Sequence, residues 1–298
     1  MKSIVVTGGS GKAGTAIIRE LVAHGYKVMN VDIVPPREPL CHFYKAELTD
    51  MGQAVDVMRR AAGIIDRRRS PLGEADAVIH MAGIPAPGLA PDNVTFQNNL
   101  MSTYNVFSAA TLFGLKRVVW ASSETVFGLP FTRSQPVAAP LTEEHPPKPE
   151  TGYALAKSMC EQMAAEMHRW NPGTTFIGLR ISNILEPQDY AAIPAYAADP
   201  ELRKWNMWSW VDARDVGQAC RLCLEANVSG AEIFTIAADD TIMPQPSREL
   251  LAGTFPDVPV AVSLGMFDTL LSIDKARRVL GYQPKYSWRT AASSPQVQ

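Results

Sequence analysis

The sequence predicts an α/β protein built on a doubly wound parallel sheet, with a smaller, non-contiguous C-terminal lobe. Three observations predict it. Short β-branched runs alternate with helical patterns over the first two thirds of the chain, the order that a parallel sheet with helices on both faces requires. A glycine-rich turn joins the first strand to the first helix, and an acid closes the second strand. The alternation breaks off after residue 184, returns over 211–237 and then stops. The expected division is therefore a sheet domain of residues 1–184 with 211–237 returning to it, and a second lobe of 185–210 and 238–298.

The elements follow in order. Residues 3–7 (Ser-Ile-Val-Val-Thr) read as a strand, 12–24 as a helix and 27–32 as the next strand. Helical periodicity fills 49–62, a strand occupies 77–80, and a long helix spans 95–113. A strand at 117–121, a helix at 153–170 and a strand at 175–180 complete the regular part. Between them, residues 128–150 hold six prolines and read as a long ordered loop. Residues 185–210 mix prolines, acids and tryptophans without a period. The return is a helix over 211–226 and a strand over 232–236, and the remainder reads as short helices.

Composition narrows the function classes. With 46% hydrophobic and 19% charged residues in 298, the chain has enough apolar surface for a large core. A net charge of -2 argues against nucleic acid or an anionic membrane as partner. Arg67, Arg68 and Arg69 are the one basic cluster and read as a solvated helix end or loop. No apolar run approaches the roughly 18 residues of a membrane span. The N-terminus enters a strand without a charged and apolar leader, so a cytoplasmic protein is expected. Cys41, Cys160, Cys220 and Cys223 suit reducing conditions. The Cys220/Cys223 spacing falls within a helical pattern and has no second ligand pair, so it reads as buried helix, and no metal site is expected.

The first turn reads Thr7-Gly-Gly-Ser-Gly-Lys-Ala-Gly14, with Gly8, Gly11 and Gly14 spaced three apart. Glycines let the backbone turn sharply and approach a pyrophosphate at a helix N-terminus, where free N–H groups and the dipole attract anions. Asp32, 18 residues after Gly14, ends the next strand. A carboxylate there accepts both ribose hydroxyls and repels a 2′-phosphate, so NAD is favoured over NADP. Further along, Tyr153 and Lys157 lie four residues apart in a helical stretch, on one face. An ammonium beside the phenol is expected to lower the tyrosine pKa from about 10, letting it exchange a proton with an alcohol near neutral pH.

Together these features resemble an extended short-chain dehydrogenase/reductase of the NAD-dependent epimerase/dehydratase family. Further stretches carry the resemblance. His80-Met-Ala-Gly83 is similar to the family's cofactor-lining segment after the fourth strand, and Asn99-Leu-Met-Ser-Thr-Tyr-Asn105 to its "NxxGTxN" helix. Ser122-Ser-Glu-Thr-Val-Phe-Gly128 is similar to "SSxxVYG", and Leu179-Arg-Ile-Ser-Asn183 to "LRxxN". The resemblance implies NAD held by Gly8, Ser10, Gly11, Lys12, Ala13, Gly14 and Asp32. It adds contacts from Glu47, Leu48, Met81, Ala82, Gly83, Asn99, Ala121 and Ile181. Tyr153 would exchange the hydroxyl proton, Lys157 would hold the nicotinamide ribose and tune the tyrosine, and Ser123 would orient the reacting oxygen. It also implies a homodimer, formed through the helices at 95–113 and 153–170.

The chain departs from the pattern in places. Glu47 stands where the family usually has Asp at the adenine. A single acid, Glu124, follows Ser123 where 4,6-dehydratases of the family carry two, which argues against water elimination. Trp208 occupies the position of the arginine that nucleotide-sugar enzymes place on a diphosphate. The loop from Glu186 to Tyr190 and the later Trp208-Ser-Trp210 look somewhat like uronate dehydrogenases. Glu124, Asn183, Arg203 and Trp208, with Ser123, are the expected substrate contacts; Arg203 and Lys204 would bind a carboxylate or phosphate. Trp205, Trp208 and Trp210 divide between core and a wall for a sugar ring. The expected function is NAD-dependent oxidation or epimerisation of a sugar or sugar derivative. Two alternatives stand beside it: a dehydrogenase of a free sugar acid, and a non-catalytic NAD-sensing protein.

Overall fold

The first strand shows why the sheet is buried on both sides. In β1 (Ser3–Thr7), Ile4 and Val6 face one apolar layer and Val5 the other, and all three are fully buried. Consecutive β-branched residues leave no solvent face, as in a central parallel strand. The structure is a computed structural model that describes residues 2–61 and 75–291. The basic run Arg67–69 lies outside the described residues.

In chain order, β1 is followed by α1 (Lys12–Ala23), β2 (Lys27–Asp32), β3 (His42–Lys45), α2 (Met51–Ala61), β4 (Ala77–His80) and α3 (Asp92–Leu112). Next come β5 (Arg117–Ser123), α4 (Gly152–Trp170), β6 (Thr175–Ile181), β7 (Ile184–Leu185) and α5 (Ile193–Ala197). Then follow β8 (Val211–Asp212), α6 (Ala213–Glu225), β9 (Ala231–Ile236), α7 (Ser247–Thr254), α8 (Asp274–Leu280) and α9 (Trp288–Ala291). Seven parallel strands pair in the order β3-β2-β1-β4-β5-β6-β9. The direction of winding reverses between β1 and β4, and a crevice at such a reversal, beyond the strand C-termini, is where open α/β sheets bind ligands.

Each sheet face has its own helices. α2, α3 and α4 cover Val5, Met29, Val78, Val118 and Phe176. α1 and α6 cover Ile4, Val28, Ile79 and Ile177, and that apolar cluster continues into Leu264, Leu271 and Tyr282. Cys220 and Cys223 are fully buried on α6. Arg117 closes the end of α6, donating from Nη1 to the carbonyls of Cys223 (2.6 Å) and Ala226 (2.8 Å) and from Nη2 to Val228 (3.0 Å).

Differences from the sequence reading are local. β3 was not expected: His42–Lys45 is a short edge strand whose side chains stay half-exposed or exposed, so it lacks an apolar pattern. The unperiodic 185–210 stretch contains 3-10 turns at Pro187–Ala192 and Pro200–Asn206 flanking α5, with β7 and β8 forming a two-stranded parallel ribbon. The proline-rich loop is ordered. The Glu150 carboxylate accepts from the backbone N–H of Thr132 (2.9 Å) and Arg133 (3.0 Å), and bridges join Ala139 to Val260 and Leu141 to Leu271.

Candidate active site

A cavity of about 670 Å³ lies beyond the C-termini of β1, β2, β4, β5 and β6. Its floor at one end is the glycine turn. Gly8 has φ +67°, and a Cβ there would stand 2.5 Å from the Ala82 nitrogen. A Cβ on Gly14 would stand 2.1 Å from the Gly8 oxygen. At Gly11 the nearest atom is 3.4 Å away, so that position opens onto the cavity. No side chain caps α1 and no acid lies in its first turn, which leaves the opening N–H groups available to an anion. Asp32 lines the cavity with its carboxylate held by the N–H groups of Ser10 (3.0 Å) and Ile33 (2.7 Å). Ser10, Lys12, Ala13 and Gly14 also line this end. These residues fit a dinucleotide: close-packed glycines, uncapped amides and a fixed carboxylate.

Lys12 reaches across the cavity mouth. Its ammonium donates to Asp189 Oδ2 at 2.6 Å and to the Ile184 carbonyl at 3.4 Å. Glu47 and Leu48 line the wall near Asp32, with the Glu47 carboxylate turned back to accept from Thr49 N–H (3.0 Å) and Oγ1 (2.9 Å). Met81, Ala82, Gly83, Ala121 and Ile181 line the middle.

Asn99, expected to touch the cofactor, does not line the cavity. It is buried and clamps Ile84, accepting from its N–H at 2.7 Å and donating to its carbonyl at 3.0 Å. Asn98 and Ser102 line the cavity instead. His80 is structural as well: its ring bonds Thr7 Oγ1 (2.7 Å) and Thr103 Oγ1 (3.2 Å), and burial drives its pKa down to about 3.

Ser123, Tyr153 and Lys157 converge on the far end, from the end of β5 and the first turns of α4. Thr151 caps α4 by accepting from Ala154 N–H at 3.1 Å, which fixes the turn that carries Tyr153. The Ser123 hydroxyl acts on the Tyr153 phenol, lowering its pKa, and accepts from Thr125 N–H (3.2 Å). Lys157 donates to the Ala121 carbonyl at 2.6 Å, with its ammonium 5.7 Å from the centre of the Tyr153 ring. The expected lowering of the tyrosine pKa is not found. Burial pushes the phenol up to about 12; the Ser123 hydroxyl lowers it and the Glu124 charge raises it. The Lys157 ammonium is itself pushed below its ordinary value by burial. Desolvation of both groups outweighs their proximity.

Glu124 stands next to Ser123 and lines the cavity, its Oε2 accepting from Ser182 Oγ at 2.6 Å and its Oε1 from Asn206 Nδ2 at 3.4 Å. Burial pushes its pKa up to about 7. Asn183 and Trp205 complete this wall.

Two expected substrate contacts stand behind the wall. Arg203 is buried and does not line the cavity; its Nη2 donates to Asn183 Oδ1 (3.0 Å) and to the Ser209 carbonyl (3.4 Å). Its guanidinium stacks on Tyr196 and Trp205, 5.2 and 5.1 Å from the ring centres. Lys204 is paired with Glu201. Trp208 is fully buried, donating its indole N–H to the Pro200 carbonyl at 2.8 Å. Met207 and Trp208 both take positive φ (53° and 54°), which ends the 3-10 turn and sends the indole into the core. Trp210 is also buried and donates to Asp240 at 3.2 Å, so Trp205, 38% exposed, is the tryptophan at the cavity. Nothing in the sequence separated these three, because a 3-10 turn has no apolar stripe to read.

A family model described as the NAD dependent epimerase/dehydratase family matches residues 4–237. The UDP-glucose 4-epimerase of Bacillus subtilis is 31% identical over 172 residues, 56% of this chain and 48% of that protein. The bifunctional UDP-glucose and UDP-xylose 4-epimerase 3 of Arabidopsis thaliana is 28% identical over 79% of this chain and 65% of its own length. The matched region thus spans from about half to two thirds of these curated relatives. Among solved structures, UDP-glucose 4-epimerase with UDP-glucose from Thermotoga maritima superposes with a TM-score of 0.70 at 21% identity, covering 96% of this chain and 94% of that one. A mutated uronate dehydrogenase superposes at 0.66 and 22% identity, covering 100% and 87%. At such identities these two establish a shared fold. The family match over residues 4–237, most of the chain, identifies the protein as a member of the NAD-dependent epimerase/dehydratase family.

Proposed function

We propose that this enzyme transfers a hydride between NAD and an alcohol carbon of a sugar or sugar derivative, with Tyr153 exchanging the hydroxyl proton. One observation carries the reading: Ser123, Tyr153 and Lys157 meet at one end of the same cavity whose other end is the glycine turn and Asp32. Bound NAD supplies the hydride acceptor and donor. The chain supplies position and electrostatics. Ser123, held by Thr125, hydrogen-bonds the reacting oxygen and keeps it beside the phenol. Lys157 spends one N–H on the Ala121 carbonyl and keeps others for a ribose hydroxyl. A phenol near 12 is a poor base at neutral pH. Catalysis on this reading requires positive charge to arrive beside it, and an oxidised nicotinamide brings that charge.

Both oxidation with release of NADH and epimerisation by oxidation and re-reduction use this geometry. A sugar without a nucleotide handle is favoured by one observation: Trp208 stands in the core at the position that the family resemblance gives to a diphosphate-binding arginine. In this reading residues 1–184 and 211–237 carry the cofactor and 185–210 with 238–298 form the substrate side. Exposed Met101 and Tyr104 on α3 and Leu155 and Met159 on α4 support a homodimer through these helices. The free thiols of all four cysteines support a cytoplasmic setting.

The test is Tyr153→Phe, assayed by NADH absorbance and by sugar epimer analysis over aldoses, uronic acids and UDP-sugars. The variant is expected to bind NAD as the parent does and to lose at least about a hundredfold in turnover, within the range of general acid–base catalysis. Parent-like turnover refutes the assignment.

A further inference from the structure

We propose that the reacting end of the cavity selects a sugar ring bearing no negative charge, that is a neutral or amino sugar, and that Glu124 sets this selection. The inference rests on the hydride-transfer reading above and names its substrate class.

Among the described residues, Glu124 is the only charged side chain of the wall formed with Ser123, Thr125, Asn183 and Trp205. Two cations among these residues line the cavity, Lys12 at its opening end and Lys157 beside Tyr153 at the reacting end, the latter assigned above to the cofactor ribose. Lys12, at the glycine turn, pairs with Asp189, and Lys157 donates to the Ala121 carbonyl. Arg203 is the residue a substrate carboxylate would need. It is stacked between Tyr196 and Trp205 and bonded to Asn183 and Ser209, and its buried Nε has no hydrogen-bond partner. An anion reaches it only by displacing the wall.

Glu124 retains acceptor capacity. One oxygen takes the Ser182 hydroxyl at 2.6 Å, the other has a long contact of 3.4 Å from Asn206, and the Asn183 backbone N–H also favours the ionised carboxylate. An ionised carboxylate offers about four lone-pair sites. A sugar hydroxyl or ammonium satisfies the free sites, whereas a ring carboxylate beside them meets like charge in a low-dielectric pocket. The titratable and charged groups facing Glu124 are Arg203, from the 3-10 turn, and Tyr153, from α4. Tyr153, near 12, keeps its proton between pH 6 and 8, and a guanidinium keeps its charge, so Glu124 alone changes state in that window.

The experiment compares kcat/KM for two matched pairs, glucose with glucuronate and UDP-glucose with UDP-glucuronate, in the parent and in Glu124→Gln. The parent is expected to prefer the neutral member at least about tenfold, and Glu124→Gln to narrow that gap. In the parent the preference should widen as pH rises from 6 to 8, a measurement independent of how well the variant folds. If no member is turned over, calorimetric binding to the NAD-loaded chain is read for the same order. An acidic sugar that is used or bound as well as its neutral partner overturns the proposal, as does a preference indifferent to pH. Because Tyr153→Phe tests the hydride step separately, either claim can fail while the other stands.

Discussion

Substituting Gly14 by alanine tests whether the first turn is built for a dinucleotide or only for chain reversal. The new Cβ would lie 2.1 Å from the Gly8 oxygen and 2.5 Å from the Gly9 Cα, while ordinary contact begins at 3.4 Å. These are backbone atoms, so no rotamer relieves the clash, and the Gly8 carbonyl must move by more than 1 Å. That carbonyl accepts from Gly11 N–H at 3.2 Å, so the bond that closes the turn is lost. Overpacking costs about 1–3 kcal/mol. The lost hydrogen bond adds about 1 kcal/mol. Alanine returns up to about 1 kcal/mol in helix propensity. The net expectation is a destabilisation of about 1–3 kcal/mol by urea unfolding. The displaced groups include the amides that open α1, so NAD affinity should fall at least tenfold by calorimetry, about 1.4 kcal/mol. A variant that unfolds within about 0.5 kcal/mol of the parent and binds NAD within about threefold would refute the reasoning.

Three further outcomes are expected. Glu161 holds buried Arg180 through two contacts of 2.9 and 2.7 Å and also accepts from Ser122 at 2.6 Å. Glu161→Ala strands that guanidinium and should cost about 3–5 kcal/mol in urea unfolding; a loss under about 1 kcal/mol would show the pair to be dispensable. Burial lifts Glu124 from an ordinary 4.5 to about 7, so the folded chain binds that proton more tightly than the unfolded chain. Stability from this group is therefore full below about 4.5 and declines as pH rises toward 7, by about 3 kcal/mol relative to Glu124→Gln. Asp215, raised to about 6, tilts both proteins the same way and cancels in the comparison; parallel stability–pH curves would contradict the assignment. If the proposed homodimer forms through α4, Leu155→Glu with Met159→Glu on its exposed face should halve the mass seen by light scattering; a parent of monomer mass, or an unchanged mass in the variant, would refute that contact.

What was legible in the sequence was chemistry fixed by short-range spacing. The three glycines, Asp32 at the end of β2 and the Tyr153/Lys157 helix face each depend on a few consecutive backbone angles, and all border the cavity. What was not legible depends on packing between distant segments. Trp205, Trp208 and Trp210 are nearly interchangeable by type, and only the positive φ at Met207 and Trp208 decides which indole meets the cavity. Asn99 matched its motif, yet its amide faces Ile84 because the loop after β4 folds back over α3. The phenol pKa missed for a related reason: i,i+4 spacing brings Lys157 near, but spacing carries no information on how far both groups are dried.

The Lys12–Asp189 contact has a consequence for entry into the cavity. Its two members are 177 residues apart in sequence, and each keeps about a third of its side chain in water. An ion pair so wetted is worth at most about 1 kcal/mol. The seam between the glycine turn and the segment after β7 is therefore fastened by a weak clasp, one that thermal motion undoes often and dissolved salt loosens further.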